Sequence, residues 1–276
     1  MSARHDGAAL TLYCLPYAGG NAATYRGWGE TLGPWIDCVP LDLPGHGRLR
    51  ALPACRDWPG LIEALLDAVE ANGPPRTRPC ALFGHSMGAL VALELAHALR
   101  ERHGCEPLWL GVAACVAPRE RELDEARPTH WLDCSTAEMV AELRRLGGTA
   151  EELLADAEFL DLALPALRAD FHLCATQARR ARSRETRREP PLSCPVWAFG
   201  GTNDSVSERN ENLSAWCHET AGVFRQRTLE GGHFFVETAR ARLIREIAAA
   251  LEPLVFAAPP RAALAASRAR GPLYSD

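Results

Sequence analysis

Apolar residues recur along the first 116 positions in two alternating rhythms. Short β-rich runs at Leu10–Pro16, Ile36–Leu41, Pro79–Phe83 and Pro107–Val116 read as buried strands. Between them lie stretches with helical spacing: Ala22–Leu32, Trp58–Ala71 and Met87–Arg102. In the second of these Leu61, Ile62, Leu65, Leu66 and Val69 fall on one face, and Gly73-Pro74-Pro75 stops the helix. Strand–helix alternation of this kind implies βαβ units, hence a mostly parallel sheet with helices on both faces. The rhythm then changes. From about Glu120 to Glu189 only helical signals occur, at Thr136–Leu146, Ala150–Ala157 and Pro165–Arg182. Such a block inside a strand–helix alternation is expected to be a helical lid inserted over one end of the sheet, spanning about residues 120–189. Strands resume at Cys194–Gly200 and Gly222–Leu229, and a closing helix covers Phe235–Leu251 with Pro253 ending it. The expected organisation is one α/β domain over residues 1–256, followed by an Ala/Arg/Pro-rich tail, Ala257–Asp276, that lacks periodicity and is expected to be mobile.

Composition narrows the classes. The chain has 276 residues, 47% hydrophobic and 24% charged, which is ordinary for a globular protein. A length of this order lets a chain bury about 70–75% of its unfolded surface without staples. The net charge of −5 argues against a globally basic nucleic-acid binder. No apolar run reaches the roughly 18–20 residues of a membrane span, so no membrane association is expected. The start, MSARHDGAAL, has no apolar core of a secretory signal, so the expected location is the cytoplasm. Ten cysteines include no C-x-x-C pair; Cys14, Cys80, Cys115 and Cys194 fall in strand-like runs, where cysteine acts as a small hydrophobe. Free thiols are expected. There is no H-E-x-x-H, no P-loop and no spaced Cys/His cluster, so neither cofactor nor metal is expected. The basic run Arg179–Arg188 reads first as a solvated face, and second as a surface for an acidic partner or a phosphate.

The chemistry concentrates at Gly84-His85-Ser86-Met87-Gly88. This is G-x-S-x-G with a strand before it and a helix after it, the context of a nucleophile on a sharp turn. The turn lifts the serine hydroxyl above the sheet at a helix N-terminus, where developing negative charge is favoured. A hydroxyl needs a base. Of nine histidines, His233 fits the order Ser, acid, His: it follows the last strand in Glu230-Gly231-Gly232-His233. His85 adjoins the serine and should point elsewhere, and His46 lies in a loop after an early strand. The acid is expected at Asp204, in Gly200-Gly201-Thr202-Asn203-Asp204 after a late strand; Glu208, Asp161 and Asp170 compete for the role. A tetrahedral oxyanion needs two N–H donors. One should be Met87; the other should come from Tyr17-Ala18-Gly19-Gly20, with Ala18 favoured over Tyr17.

At this point the residues resemble a known family. LYCLPYAGGNAATYRGW, GHSMGALVALELAHAL, LPALRADF, FGGTNDSVS and EGGHFFV, in that order and spacing, resemble the type II thioesterases. These are the free-standing editing enzymes of polyketide synthases and nonribosomal peptide synthetases, built on the α/β-hydrolase fold. The resemblance covers about residues 10–254. It implies a triad of Ser86, Asp204 and His233, with oxyanion donors at Ala18 and Met87. It implies hydrolysis of acyl thioesters from the phosphopantetheine arm of an acyl or peptidyl carrier protein, through an acylated serine, with no cofactor. A monomer is expected. The same triad would also suit a small-molecule carboxylesterase, an acyltransferase or a medium-chain fatty acyl thioesterase. Two departures bear on the acyl pocket. Relatives often carry P-G-R where this chain has Pro44-Gly45-His46. They often have a glutamate and an aromatic after L-R-A-D-x, where this chain runs His172-Leu173-Cys174-Ala175-Thr176-Gln177. The lid is expected to gate an apolar channel, with Leu153, Leu154, Phe159, Leu160, Leu162, Leu164 and Leu167 as candidate lining.

Overall fold

The computed structural model describes residues 7–73, 78–123, 125–127, 129–206 and 210–256. Asp124, Glu208 and the tail from residue 257 lie outside them. The strands are β1 (Leu10–Leu15), β2 (Ile36–Pro40), β3 (Cys80–His85), β4 (Leu110–Ala113), β5 (Val196–Gly201) and β6 (Phe224–Leu229). They form one sheet in the order β2-β1-β3-β4-β5-β6, and every pair is parallel. The central strands β1, β3 and β4 are buried at every position. That is why they read as continuous apolar runs rather than as alternations. The edge strand β6 instead carries Arg225 and Arg227, whose guanidinium groups lie over the Trp197 ring. Charge on an edge strand discourages pairing with another chain.

Helices cover both faces: α1 (Trp28–Leu32), α2 (Trp58–Ala71), α3 (Met87–His103), α4 (His130–Asp133), α5 (Thr136–Leu146), α6 (Glu151–Leu154), α7 (Ala157–Thr186), α8 (Asn210–Ser214), α9 (Phe235–Thr238) and α10 (Arg240–Phe256). One core packs α2 and α3 against the sheet; the other packs α1 and α10 on the opposite face. Cys14, Cys80, Cys115 and Cys194 are buried within these layers. Between β4 and β5 every α-helix from α4 to α7 belongs to one block with its own apolar core, built on Met139, Leu143, Leu160, Leu164, Leu167 and Phe171. Ala18, in the loop after β1, packs against it. No helix among the described residues is long and apolar enough to cross a membrane.

Four sequence expectations shift. The helix expected over Ala22–Leu32 is a 3-10 turn, Ala22–Tyr25, then α1, with a left-handed Gly27 between. The strand expected over Pro107–Val116 keeps only Leu110–Ala113, because Ala114 turns to φ 52°. α7 starts eight residues before Pro165, at Ala157, capped by Asp156, whose carboxylate accepts the amides of Glu158 and Phe159. Pro165 removes one ladder bond; Leu160, Leu164 and Leu167, packed in the block's core, carry the helix past it. Pro253 likewise sits inside α10 rather than ending it, in the last turn, where one missing amide costs least.

Candidate active site

The register aligns the C-terminal ends of the central strands: Leu15 faces Gly84, Gly84 faces Val112, and Ala113 faces Phe199. Ligands of open parallel sheets gather beyond such ends. Ser86 sits there, between β3 and α3, at φ 56° and ψ −118°. A positive φ at a non-glycine residue is strain imposed by the surroundings. Here the Ser86 N–H donates to the Ala113 carbonyl of β4 at 2.7 Å, and the Ser86 carbonyl accepts from Ala89. The two motif glycines answer to close packing. A Cβ on Gly84 would collide with the Gly88 carbonyl, and one on Gly88 with the carbonyls of Leu15 and Pro16. Both must be glycine for α3 to start directly over the ends of β1 and β3.

His233 follows β6. Its Nε2 lies 3.0 Å from Ser86 Oγ and its Nδ1 3.1 Å from Asp204 Oδ1. Asp204, 1% exposed, follows β5, and its Oδ1 also accepts the Val206 amide at 3.1 Å. The two exit loops are stitched together by Thr202 N–H to the Leu229 carbonyl and Asn203 N–H to the Gly231 carbonyl. A carboxylate can only accept, so Nδ1 carries the proton it donates to Asp204. Nε2 is then a lone pair facing a hydroxyl that can donate to it. Such a chain of groups can take a proton from Ser86 and hold the resulting imidazolium.

His85 points away from Ser86, as expected. Its Nε2–H donates to the His233 carbonyl at 2.8 Å. Its ring is fully buried among Tyr17, Phe234 and Phe235. Burial, and then the neighbouring His233, push its pKa down to about 3. The ring is therefore a neutral brace under the histidine loop. The sequence offered no signal for this role beyond adjacency to the serine.

The backbone narrows the candidates for oxyanion donors. Met87 opens α3, and the first amides of a helix have no acceptor within it. In the loop after β1, Gly20 N–H donates to the Tyr17 carbonyl at 2.8 Å and Gly19 N–H to Asp170 Oδ2 at 2.7 Å. Both glycine amides are committed, which leaves Ala18 and Tyr17 as the candidates from this loop. Tyr17 itself reaches across the site, its hydroxyl donating to Glu237 at 2.9 Å and its ring edge-on to Phe234.

The rival acids go elsewhere. Asp170 lies in α7 and pairs with His46, not with His233. Asp161 is exposed on the same helix, and Glu208 is outside the described residues. Of the candidate channel residues, Leu154, Leu160, Leu164 and Leu167 are buried in the helical block and Phe159 is partly buried. Leu153 and Leu162 lie at the surface, 41% and 80% exposed. The block nevertheless reaches the site, since Gly148, after α5, lies against the ring of Phe234. A cleft of about 920 Å³ elsewhere, lined by residues such as Asn21, Arg26, Asp42 and Arg48, includes none of Ser86, Asp204 and His233. The basic run Arg179–Arg188 turns half inward: Arg180 and Arg184 both donate to Glu94 of α3, which is fully buried. Among the described residues no cluster of His, Cys, Asp and Glu has the makings of a metal site.

Comparison with known proteins identifies the family. Residues 10–251 match the family model of the thioesterase domain. The chain is 37% identical over 231 residues to thioesterase PikA5 of Streptomyces venezuelae, covering 83% of this chain and 76% of that one. It superposes with a TM-score of 0.74 on the RedJ thioesterase of the prodiginine pathway in Streptomyces coelicolor, at 36% identity and covering 89% and 87% of the two chains. It superposes equally, at 0.74, on YbtT, the type II thioesterase of the yersiniabactin pathway, at 30% identity and covering 90% and 94%. A strand-to-helix serine, a late-strand acid and a last-strand histidine on a parallel sheet thus meet a family that shares the whole fold, and the chain belongs to the thioesterase-domain family, as a thioester hydrolase of the α/β-hydrolase type.

Proposed function

We propose that this protein is a type II editing thioesterase that clears stalled or wrongly primed acyl groups from the phosphopantetheine arms of carrier proteins in a polyketide or nonribosomal peptide assembly line. The observation that carries this reading is the hydrogen-bonded line from Ser86 through His233 to Asp204 on the strained turn, 3.0 Å and 3.1 Å per link. That RedJ and YbtT are thioesterases of biosynthetic pathways, YbtT of the type II class in an NRPS/PKS pathway, supports the substrate class.

In this mechanism Ser86 Oγ attacks the thioester carbonyl while His233 Nε2 takes its proton. The carbonyl oxygen becomes an oxyanion held by the amides of Ala18 and Met87. The C–S bond breaks, and the sulfur leaves as a thiol with the proton from His233. Water then gives a proton to His233 and attacks the acyl-serine, the second oxyanion collapses, and Ser86 recovers its proton as the carboxylic acid departs. Asp204 keeps the ring in the tautomer with Nε2 free and stabilises its cation. A thiolate is a good leaving group, so these groups suffice. The helical block at about residues 120–189 acts as the lid, resting on Ala18 and Phe234.

The test is acyl release from an acyl-phosphopantetheinyl carrier protein, followed by intact-protein mass, with the matching p-nitrophenyl ester beside it. Turnover of the carrier-bound thioester that falls by about 10⁴-fold or more in Ser86→Ala is the expected result. Cleavage of the free ester alone would replace the editing reading with a small-molecule esterase.

A further inference from the structure

The loop that carries Ala18 is anchored from outside the proposed triad. Gly19 adopts φ 75°, and a Cβ there would collide with Leu167 of α7. One turn further along α7, Asp170 presents the same face to the loop. Asp170 is 3% exposed, and its Oδ2 receives the Gly19 amide at 2.7 Å and His46 Nε2 at 2.9 Å. His46 Nδ1 is 3.1 Å from the Pro44 carbonyl. A carbonyl only accepts, so Nδ1 carries a proton. A neutral ring would then aim the Nε2 lone pair at a carboxylate oxygen. The partners on both sides thus call for the doubly protonated imidazolium.

This anchoring decides where the Ala18 N–H points. A peptide unit is planar, with its C=O and N–H opposed. The Tyr17 carbonyl is turned inward to accept Gly20 N–H, so the Ala18 N–H of the same unit faces outward. The next unit is fixed by the Gly19 amide on Asp170. With both flanking units tied, Ala18 has no freedom to swing. We propose that Asp170 and His46 form a positioning pair for the oxyanion hole, in which the His46 ring fixes the carboxylate and the carboxylate holds the loop so that the Ala18 amide meets the oxyanion. The inference rests on the reading of Ala18 as an oxyanion donor.

The pair carries a pH signature. The charged groups around His46 are Asp170 from α7 and Asp42 from its own loop, with the Cys55 thiol facing Asp170. Asp42 is occupied by the amides of Ala22 and Arg48 and by Arg48 Nε. Burial opposes the charge on His46, but the contact with Asp170 outweighs it and raises its pKa above the ordinary value. The charge is therefore present at low pH and lost as pH rises through that raised value. The loop should loosen on the alkaline side.

The experiment uses the full chain, p-nitrophenyl ester turnover across roughly pH 6 to 9, where a histidine changes charge, and the rate of Ser86 labelling by a fluorophosphonate. Thermal melts confirm that each variant is folded. In Asp170→Asn and His46→Gln, kcat and labelling rate are expected to fall about 10- to 100-fold, short of the 10²–10³ for a lost donor, with KM within about 2-fold. His46→Arg, a cation that does not titrate, is expected to recover most of the loss of His46→Gln and to remove the alkaline decline. Folded Asp170→Asn with kcat and labelling within about 2-fold of wild type overturns the proposal. So does His46→Arg that tracks His46→Gln at every pH. The proposed function fails separately: if Ser86→Ala still turns over the ester, the nucleophile is wrong whatever the clamp does.

Discussion

Two histidine–aspartate pairs are buried at the C-terminal end of this sheet. In His233–Asp204 the side chains are 9% and 0% exposed; in His46–Asp170 they are 5% and 4%. Distances are alike, 3.1 Å and 2.9 Å. The difference lies in what faces the second ring nitrogen. For His233 it is the Ser86 hydroxyl, which can donate, so Nε2 is placed to accept its proton. For His46 it is the Pro44 carbonyl, which accepts, so the ring is held charged. The carboxylates differ in the same sense. Asp204 spends its charge on a ring that must change state, and Asp170 spends its charge on a backbone amide that must stay still. Composition and burial do not distinguish a base from a clamp here; the chemistry of one opposing atom does.

The sharpest way to break the comparison is to neutralise both acids. Asp204→Asn is expected to lower kcat by about 10⁴-fold, because an amide can donate to Nδ1 and so favours the wrong tautomer. Asp170→Asn should cost far less, since the amide oxygen can still accept from Gly19. Steady-state turnover of both folded variants on the same thioester checks the ranking. Equal losses would mean that both pairs act on the same step.

A third buried carboxylate sharpens it from the side of stability. Glu94 of α3, fully buried, accepts from Gln177 at 3.1 Å, Arg180 at 2.5 Å and Arg184 at 2.7 Å on α7. Burial raises its pKa, but Arg184 and Arg180 outweigh burial and hold it below the ordinary range. A depressed pKa stabilises the fold above the unfolded value, about 4.3 for glutamate, and the gain is lost as pH falls through the folded one. Glu94→Ala leaves Arg184 buried without its carboxylate and is expected to cost about 3–5 kcal/mol. Urea unfolding near neutral pH measures this, and the gap to wild type should shrink in acid. The clamp on His46 fails in alkali; the clamp on Glu94 fails in acid.

The pair proposed to do chemistry was legible in the sequence and the pair proposed to position was not. Ser86 announces itself because Gly84 and Gly88, both forced by close packing, stand two residues either side of it in sequence, although the carbonyls that force Gly88 belong to the distant Leu15 and Pro16. Asp204 and His233 follow from chain order, since each lies in the first loop after its strand. His46 and Asp170 are 124 residues apart, and no local pattern tells which histidine meets which acid. The resemblance marked both stretches as unusual without pairing them. Leu162 shows a different loss. Leu160, Leu164, Leu167 and Phe171 recur at helical spacing and face inward, so Leu162 falls on the opposite face, 80% exposed. Starting the helix at Pro165 hid that phase.

The smallest expected effect concerns a third histidine, and it separates bracing from titration. His85 touches both sides of the proposed chemistry: its ring packs edge-on to Tyr17, and its Nε2–H holds the His233 carbonyl at 2.8 Å. With a pKa pushed down to about 3, it carries no charge change near neutrality. His85→Leu keeps an apolar side chain in the site and removes one donor from a part-buried carbonyl. A lost bond of this kind costs about 1–3 kcal/mol. If part of it falls on the aim of His233, kcat should drop about 10-fold, the equivalent of 1.4 kcal/mol. The shape of the pH–rate curve should not move, because no titrating group has been removed. His46→Gln predicts the reverse pattern, a curve that loses its alkaline limb. A His85→Leu curve that shifts would assign the alkaline limb to the wrong ring; an unchanged one leaves His46 as the imidazole through which pH reaches the oxyanion loop.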